Sequence, residues 1–436
     1  MNGKVVNSRR RHLTIFCRTL LLVTLAANLH ALTVAQAADR LTEAINQHPP
    51  AIPIASGFEI PSEGYCDQPY VVKLPDGTWL CTMTTGEGHE GNKGQHVVST
   101  RSTDRGRTWG PLVDIEPAAG PEASWAMPYL TSYGRVYAFY IYNAKNMREV
   151  IAGTDYARQR VDTLGEYAVK YSDDGGKSWS AERYYIPVRM TAIDRRNPYQ
   201  GEVRFQWGVG KPIRHKNAMI FGFTKIEKFG AGFIERSESF FIRCSNIETE
   251  RDPDKLNWQT LPEGETGLKS PEGPIASEVN LTSLSDGSLF CTYRTVAGHP
   301  CHAYSRNDGR TWTPPAFMTY GPSGQLVDHP RAANFVRKLT KGPYAGRYIY
   351  WFHNHSGKDY AGRNPAYLLG GVEVDTPRGK VIEWGQPVAV LYDENPEVRI
   401  SYPDFIWEQG LYITETQKTI ARVHKVPGEL LAKLWE

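Results

Sequence analysis

The feature that most constrains the fold is an eight-residue pattern that occurs three times. Residues 102–109 read STDRGRTW, residues 172–179 read SDDGGKSW, and residues 305–312 read SRNDGRTW. In each copy, short polar side chains can bond backbone groups of a turn, and a glycine can adopt a conformation that other residues avoid. The tryptophan can then pack beneath the turn. A turn repeated in this way predicts an architecture in which one structural unit recurs.

Short β-strand patterns fill the sequence between these turns. TWLCTM, RVYAFYIYN, AMIFGFTKI and GRYIYWFHN are rich in aromatic and β-branched residues, and turn signals such as Asp-Gly bound them. Weaker copies of the turn end at Trp258 and Trp384. The five tryptophans are therefore about 50 to 80 residues apart, which leaves room for about four strands in each interval.

Four strands per interval predict the blades of a β-propeller. We predict an all-β chain with one domain over residues 38–436 and six blades, with seven blades as the alternative. The last blade would join the strand pattern after residue 400 to the first strand after Ala51. Joining the two ends of the chain in one blade leaves no exposed sheet edge.

Residues 1–37 have the pattern of a signal peptide. A basic start with Lys4 precedes the apolar run LTIFCRTLLLVTLAANLHALTV, and Ala35-Gln36-Ala37 follows as a small-x-small cleavage site. We expect an exported protein, periplasmic or extracellular, with an uncleaved membrane anchor as the alternative. Export permits disulfides, but Cys81 and Cys291 lie within apolar strand patterns, which favours buried thiols. Hairpin bridges Cys66–Cys81 and Cys291–Cys301 are the alternative.

The charge balance and the aromatic content bear on the partner. The 436 residues carry a formal charge of +3, which argues against a dedicated nucleic-acid protein because such proteins depend on clustered Lys and Arg. The 11 Trp and 24 Tyr include enough aromatic rings to stack on sugars as well as to fill a core.

The repeated turns resemble the Asp boxes of the sialidase (neuraminidase) superfamily, which implies a sialidase-type propeller. Sialidases use three arginines to hold a carboxylate, a tyrosine nucleophile assisted by a glutamate, and an aspartic acid as proton donor. SEVNLTSLSDGSLFCTYR is similar to the segment with the glutamate and second arginine, which implies Glu278 and Arg294. WFHNHSGKDYAGRNPAYLL implies the third arginine at Arg363, and RISYPDF implies the tyrosine at Tyr402.

Two parts of the sialidase set have no counterpart in this sequence. The strand that should carry the first arginine reads YCDQPY, and the loop that should carry the aspartic acid reads GEGHEGNKGQH. The segments DQPYVVKLPDGTWL, VRFQWGVGKP and DHPRAANF are more similar to propeller enzymes that act on L-rhamnose-α-1,4-D-glucuronate ends of gums. That resemblance implies a lyase or a rhamnosidase.

β-Elimination beside a uronic acid needs a base, an acid and a group that neutralises the carboxylate. His89 is the predicted base, because its free pKa lies near neutrality and it occupies the loop of the sialidase acid. Arg148 is the predicted neutraliser, because arginine is permanently charged and binds carboxylates with two donors. The alternatives are an exposed loop histidine and a surface arginine paired with Glu149.

Further basic side chains at expected strand ends are candidates for substrate binding. They are His96, Arg204, Lys211, Arg331 and His353, in addition to Arg294 and Arg363. His353 and His355 form a His-x-His pair that could bind a metal from one face of a strand. No third ligand is evident in the sequence, so we favour sugar binding or a structural role, with no metal and no cofactor.

Three functions follow as hypotheses. The first is a lyase that cleaves L-rhamnose-α-1,4-D-glucuronate in an oligo- or polysaccharide with a terminal acidic sugar, acting as a monomer free of the membrane after signal cleavage. The second is an exo-glycosidase, either an atypical exo-α-sialidase or an α-L-rhamnosidase. The third is a glycan-binding propeller without catalysis.

Overall fold

A computed structural model describes residues 35–36, 38–43, 51–230, 233–358 and 360–436. The predicted signal peptide lies outside the described residues, apart from residues 35 and 36. Among the residues described, no helix has the length and apolar character needed to cross a membrane.

The six-bladed propeller is confirmed, and its blades are numbered here along the chain. The first three blades each have antiparallel strands that begin at the inner edge of the sheet. Blade 1 contains Tyr65–Lys73, Trp79–Gly86, His96–Ser102 and Val113–Asp114. Blade 2 contains Ala123–Leu130, Val136–Tyr142, Glu166–Ser172 and Tyr184–Tyr185. Blade 3 contains Gln206–Trp207, Ile213–His215, Ala218–Gly230, Phe233–Cys244 and Trp258–Leu261.

The last three blades follow the same order, and blades 5 and 6 also take up strands from near the start of the chain. Blade 4 contains Ser277–Ser283, Leu289–Arg294, Cys301–Ser305 and Ala316–Phe317. Blade 5 contains Phe335–Lys338, Tyr348–Phe352, Ala366–Val374, Val381–Trp384, Val388–Tyr392 and Ile52–Pro53. Blade 6 contains Ser401–Trp407, Leu411–Thr416, Ala421–Lys425 and Phe58–Ile60. A small hairpin, Thr319–Tyr320 with Gln325–Leu326, lies between blades 4 and 5.

Blade 6 closes the ring as the sequence predicted. Phe58–Ile60 pairs antiparallel with Ala421–Lys425, so one strand from the start of the described domain completes a sheet from its end. Closure in this way satisfies the backbone groups that an open edge would leave exposed. Helices are short. Residues 38–43 are helical, and further helices are Asp155–Arg158, Ala192–Arg195 and Gly428–Ala432, with 3₁₀ turns at Ile54–Ser56, Val161–Thr163, Pro253–Lys255 and Lys433–Trp435.

The repeated turns have the hydrogen bonds that their residues predict. In the first copy, Asp104 Oδ1 accepts from Ser102 Oγ at 2.8 Å and from the backbone N–H of Thr108 at 2.9 Å. Gly106 is in the left-handed region with φ of 79°, and its N–H donates to Ser102 Oγ. Trp109 packs below and donates its indole N–H to the Gly106 carbonyl at 3.2 Å. Each turn is therefore stabilised largely by its own residues.

The core consists of apolar side chains between neighbouring blades. All five cysteines of the described domain are buried free thiols, which confirms the interpretation of Cys81 and Cys291 as core residues.

Candidate functional site

Bulges in four inner strands create the site. The ladder between the first two strands loses register after Asp67, Ser124, Ser277 and Ser401. The residues that follow have positive φ values: 55° at Gln68, 67° at Trp125, 55° at Glu278 and 50° at Tyr402. A bulge turns a side chain away from the regular alternation of a strand. A left-handed conformation at a non-glycine residue persists only where its surroundings hold it, and such residues cluster at functional sites.

Tyr402 and Glu278 meet although they lie on different blades. The Tyr402 hydroxyl donates to Glu278 Oε1 at 2.7 Å, and Arg294 Nη1 contacts Glu278 Oε2 at 2.7 Å. Arg294 Nε also donates to Ser277 Oγ at 3.1 Å, across the same bulge. Burial and the Glu278 carboxylate raise the pKa of the Tyr402 phenol well above its ordinary value, while Lys418 opposes the rise. Glu278 therefore contacts both the Tyr402 hydroxyl and the Arg294 guanidinium.

Two further arginines lie beside this pair. Arg363 Nη1 donates to Ser401 Oγ at 3.0 Å, next to Tyr402 in the chain. Arg331 Nη2 donates to the Ile234 carbonyl at 2.7 Å, and its guanidinium lies 4.6 Å from the centre of the Tyr360 ring. Burial and the nearby Arg294 lower the pKa of Arg331 to about 10, against the opposing effect of Tyr360. Several guanidinium groups buried close together favour an anionic ligand.

Lys418 joins two carboxylates from blade 1. Its ammonium group donates to Asp67 and, at 2.7 Å, to Glu90, and it lies 4.5 Å from the centre of the Tyr402 ring. Burial raises the pKa of Asp67 to about 6 against the opposing effect of Lys418. Burial alone would also raise the pKa of Glu90, but Arg160 and Lys418 outweigh it and the pKa falls well below its ordinary value. The two neighbouring carboxyls thus differ in their readiness to hold a proton.

These groups surround a cavity of about 280 Å³. Its lining consists of Glu90, Tyr156, Arg160, Trp207, Phe233, Arg294, Tyr360, Arg363, Arg399, Tyr402 and Lys418. Five of these side chains are cationic, and Glu90 is the one carboxylate among them. Within the described ranges, the buried Trp207 Nε1 and Arg294 Nη2 have no hydrogen-bond partner. Unpartnered buried donors are costly, so a ligand that accepts hydrogen bonds suits this cavity.

Four of the predicted site residues come together here. Glu278, Arg294, Arg363 and Tyr402 contact one another or the same cavity, and Arg331 lies against Tyr360 in its wall. Their roles stay predictions, because a shared location does not establish a reaction.

His89 and Arg148 lie elsewhere. The exposed His89 ring forms a 3.3 Å contact with Gln159 Oε1 and is absent from the cavity lining, whereas its neighbour Glu90 faces the cavity. Arg148 is partly exposed and forms an ion pair with the buried Glu122 rather than with Glu149. The structure therefore does not bring the predicted base and neutraliser together.

Three other predicted residues have protein partners. His96 Nδ1 lies 2.9 Å from the Gly94 carbonyl, and the ring is buried. Arg204 lies 3.6 Å from Asp194. Lys211 lies 2.6 Å from Asp404, which is fully buried.

His353 lies just beyond a strand rather than on one, since the strand Tyr348–Phe352 ends before it. The expectation that His353 and His355 lie on one face of a strand is therefore wrong. The His353 ring stacks on His329 with centroids 5.9 Å apart and an interplanar angle of 8°. Burial holds the pKa of His353 well below its ordinary value. Among the described residues, no group of three His, Cys, Asp or Glu side chains could hold a metal ion.

Sequence reasoning missed Lys418, Arg160, Trp207 and Glu90, which all line the cavity. Lys418 is in a tight turn of blade 6 with φ of 76°, and Arg160 is in an irregular stretch of blade 2. Glu90 could have been chosen from the sequence, because it is a carboxylate in the loop where a sialidase has its acid.

Comparison with known proteins supports the fold. A family model described as the BNR/Asp-box repeat matches residues 170–181. No curated protein matches the chain. An intramolecular trans-sialidase from Ruminococcus gnavus is 14% identical with a TM-score of 0.58, over 86% of this chain and 96% of that one.

Two further solved structures have the same arrangement. A protein of unknown function from Dyadobacter fermentans is 14% identical with a TM-score of 0.56, over 85% of this chain and 97% of that one. The Hadza microbial sialidase Hz136 is 16% identical with a TM-score of 0.55, over 83% of this chain and 66% of that one. The chain has the six-bladed propeller fold that sialidases and trans-sialidases also have.

Proposed function

We propose, starting from a propeller with the fold of sialidases, that the cavity binds a terminal carboxylate-bearing sugar of a glycan. The chain then cleaves the bond beside that sugar, with Tyr402 as the reacting side chain. The observation that carries this proposal is the buried contact of Tyr402 with Glu278, which Arg294 also contacts, beside a cationic cavity.

The charges of the side chains around the cavity favour the binding of an acidic sugar. Glu278, Asp67 and Asp162 offset Arg294, Lys418 and Arg160, respectively, through direct contacts. Arg363 and Arg399 line the same cavity and give it a net positive charge. Arginine binds a carboxylate through two donors, so we assign the carboxylate of the sugar to Arg294 and Arg363.

Glycosidase chemistry is the first candidate. Tyr402 would transfer its proton to Glu278 as its oxygen attacks the anomeric carbon, and water would later release the sugar. The leaving oxygen needs a proton. Tyr65 Oη lies 3.0 Å from Asp67 and 3.4 Å from Glu90. We propose Asp67, the carboxyl whose pKa burial raises, as the source of that proton through Tyr65.

Elimination is the second candidate, and Asp67 favours it. Asp67 lies in the strand where sialidases have their first arginine, so the three-arginine grip on a sialic acid is incomplete. A uronic acid held by Arg294 and Arg363 could lose its ring proton to a base in the cavity. Tyr402 would take that ring proton after passing its own proton to Glu278. The bond to the leaving oxygen would break as the ring double bond forms, and that oxygen would take a proton from the Asp67 carboxyl through Tyr65. The exposed His89, which the sequence suggested as base, lies outside the cavity lining.

The test is turnover of two substrate classes by the purified chain. A sialoside with a fluorogenic leaving group and a rhamnosyl-glucuronate disaccharide are incubated with wild type and with Arg294→Lys. We expect cleavage of one class and a large loss in Arg294→Lys, which keeps the charge but not the two-donor contact. Arg214→Lys, at the exposed contact with Glu248, is the matched control and should retain activity. Equal activity in both variants would contradict the proposal.

A further inference from the structure

A lysine ammonium group lies over the ring of the tyrosine proposed to react. Lys418 Nζ is 4.5 Å from the centre of the Tyr402 ring and 5.8 Å from the centre of the Tyr65 ring. The Tyr402 hydroxyl donates to Glu278, so the ammonium group and the carboxylate act on different parts of one phenol. A cation over an aromatic ring is attracted by its π electrons, and the attraction grows when the ring carries negative charge.

The backbone of Lys418 is held by hydrogen bonds to two blades. Lys418 lies in the turn after Leu411–Thr416, and its φ of 76° is in the left-handed region. Its N–H donates to Thr416 Oγ1 at 2.9 Å, and its carbonyl accepts from the Cys66 N–H at 2.8 Å. A left-handed conformation at a non-glycine residue persists only where its surroundings hold it. The turn of blade 6 is therefore fastened to blade 1 where the lysine side chain reaches the cavity.

The ammonium group of Lys418 keeps its proton. It donates to Asp67 and, at 2.7 Å, to Glu90. Burial works to lower the pKa of Lys418, but Asp67 and Glu90 outweigh it and raise that pKa above its ordinary value. A lysine that holds its proton this firmly is unsuited to act as a general acid or base. What it offers to a reaction is a fixed positive charge.

Both proposed reactions need such a charge beside Tyr402. When the phenol passes its proton to Glu278, negative charge moves from a carboxylate that Arg294 contacts to the phenol oxygen. A buried charge without a partner is costly. Burial and the Glu278 carboxylate raise the pKa of the Tyr402 phenol, and Lys418 opposes this rise more than Arg363 does.

We propose that Lys418 stabilises the phenolate of Tyr402 while the sugar reacts and transfers no proton itself. This inference rests on the proposed function. The proton of Tyr402 goes to Glu278, and the electron pair left on the phenol oxygen forms the bond to the anomeric carbon or takes the ring proton. The bond to the leaving oxygen breaks, and that oxygen takes its proton from Asp67 through Tyr65. Lys418 acts through Tyr402 as a positioning residue, so its loss should lower kcat rather than weaken binding of the sugar.

The experiment compares kcat and sugar binding in wild type, Lys418→Met, Lys418→Arg and Lys425→Met. Turnover is measured on whichever substrate wild type cleaves, the fluorogenic sialoside or the rhamnosyl-glucuronate disaccharide, and binding by calorimetry with free N-acetylneuraminate or glucuronate. Lys425→Met is the matched control, because Lys425 is an exposed residue of the same blade with its Nζ 6.0 Å from the centre of the Tyr412 ring.

The loss of the charge should appear in the rate. We expect Lys418→Met to lower kcat about a hundredfold and to change the Kd of the free sugar by less than about threefold. Lys418→Arg should recover most of that loss, because it keeps the charge. Lys425→Met should behave as wild type.

A second pair of variants separates an effect on Tyr402 from an effect on Asp67. Asp67→Asn is compared with Asp67→Asn/Lys418→Met, which removes a cation and a carboxylate together and leaves fewer unpaired buried charges than Lys418→Met alone. Action through Tyr402 predicts about the same hundredfold loss of kcat between these two proteins. Equal kcat values for the two would refute the inference.

The remaining outcomes separate this inference from the function that it rests on. A kcat close to that of wild type in folded Lys418→Met, or a weaker Kd with kcat unchanged, would refute the role of Lys418 and leave the proposed function standing. Normal turnover by Tyr402→Phe, or cleavage of neither substrate by wild type, would overturn the proposed function and this inference with it.

Discussion

Replacing Asp404 by alanine is expected to destabilise the whole propeller, because this buried carboxylate balances two cations. Asp404 is fully buried in the inner strand of blade 6. Lys211 lies 2.6 Å from one carboxylate oxygen, and Arg337 lies 3.0 Å from the other. Backbone N–H groups of Val71 and Phe405 donate to it at 2.9 and 2.8 Å.

The expected loss of unfolding free energy depends on which buried charges each variant leaves without a partner. Asp404→Ala leaves two largely buried cations without their carboxylate, a change that typically costs about 3–5 kcal/mol of unfolding free energy. Lys211→Met leaves Asp404 with Arg337 and its backbone donors, so we expect a smaller loss of about 1–3 kcal/mol. Denaturant unfolding followed by tryptophan fluorescence gives both values.

The pH dependence gives a second check on the same ion pairs. Burial works to raise the pKa of Asp404, but Lys211 and Arg337 outweigh it and hold the pKa below its ordinary value. The stabilisation is therefore present above a pH of about 4 and is lost as the pH falls through the lower folded-state pKa. The difference in stability between wild type and Asp404→Asn should shrink in acid.

Lys211→Met also distinguishes a structural role from substrate binding. The account predicts lower stability with an unchanged KM for enzyme that is folded. An unchanged unfolding free energy together with a raised KM would refute the ion-pair reasoning and support the role that the sequence suggested for Lys211.

Three further predictions concern the site. Tyr402→Phe should lower kcat about a thousandfold or more with little change in substrate binding, measured by steady-state kinetics and calorimetry; normal turnover would exclude Tyr402 as the reacting group. His89→Ala should keep kcat/KM within about twofold of wild type, because the ring is exposed and outside the cavity lining, and abolished turnover would instead support His89 as the base. Burial raises the pKa of Asp67 to about 6, so its contribution favours the fold in acid and is lost as the pH rises from about 4 through 6. Thermal unfolding of Asp67→Asn should lack this component, and an unchanged pH profile would contradict it.

The fold could be predicted because its signals are local. The hydrogen bonds of the turn at Asp104 join residues within four positions of one another. Such turns recur with their tryptophans at intervals that set the number of blades. The closing blade was also predictable, since exposed edges are unfavourable and unpaired strand patterns stand at both ends of the domain.

The site could be predicted only where its residues lie in one hairpin or one recognisable segment. Glu278 and Arg294 are on adjacent strands of blade 4, and Ser277 pairs directly with Arg294. Lys418 and Arg160 come from separate blades, and their contacts with Glu90 exist only once the ring has closed. No pattern along the chain contains that information.

The loop of His89 and Glu90 shows how backbone geometry decides between neighbours. Gly88 and Gly91 flank the pair with φ of 81° and 83°. A side chain at Gly91 would come within 2.1 Å of the Gln159 carbonyl oxygen, so the loop packs tightly against blade 2. In that conformation Glu90 faces the cavity and His89 faces solvent. The sequence suggested that this loop contributes to the site, and its packing determines which of the two side chains faces the cavity.

The mass of the products formed from a glycan with an acidic sugar at or next to its end tests whether Tyr402 is the reacting side chain. Wild type is compared with Tyr402→Phe on the sialoside and on the rhamnosyl-glucuronate substrate. We expect release of the terminal sugar by wild type and none by the variant, with the mass of water added for hydrolysis and not added for elimination. Release that Tyr402→Phe retains, or no release from either substrate, would contradict it.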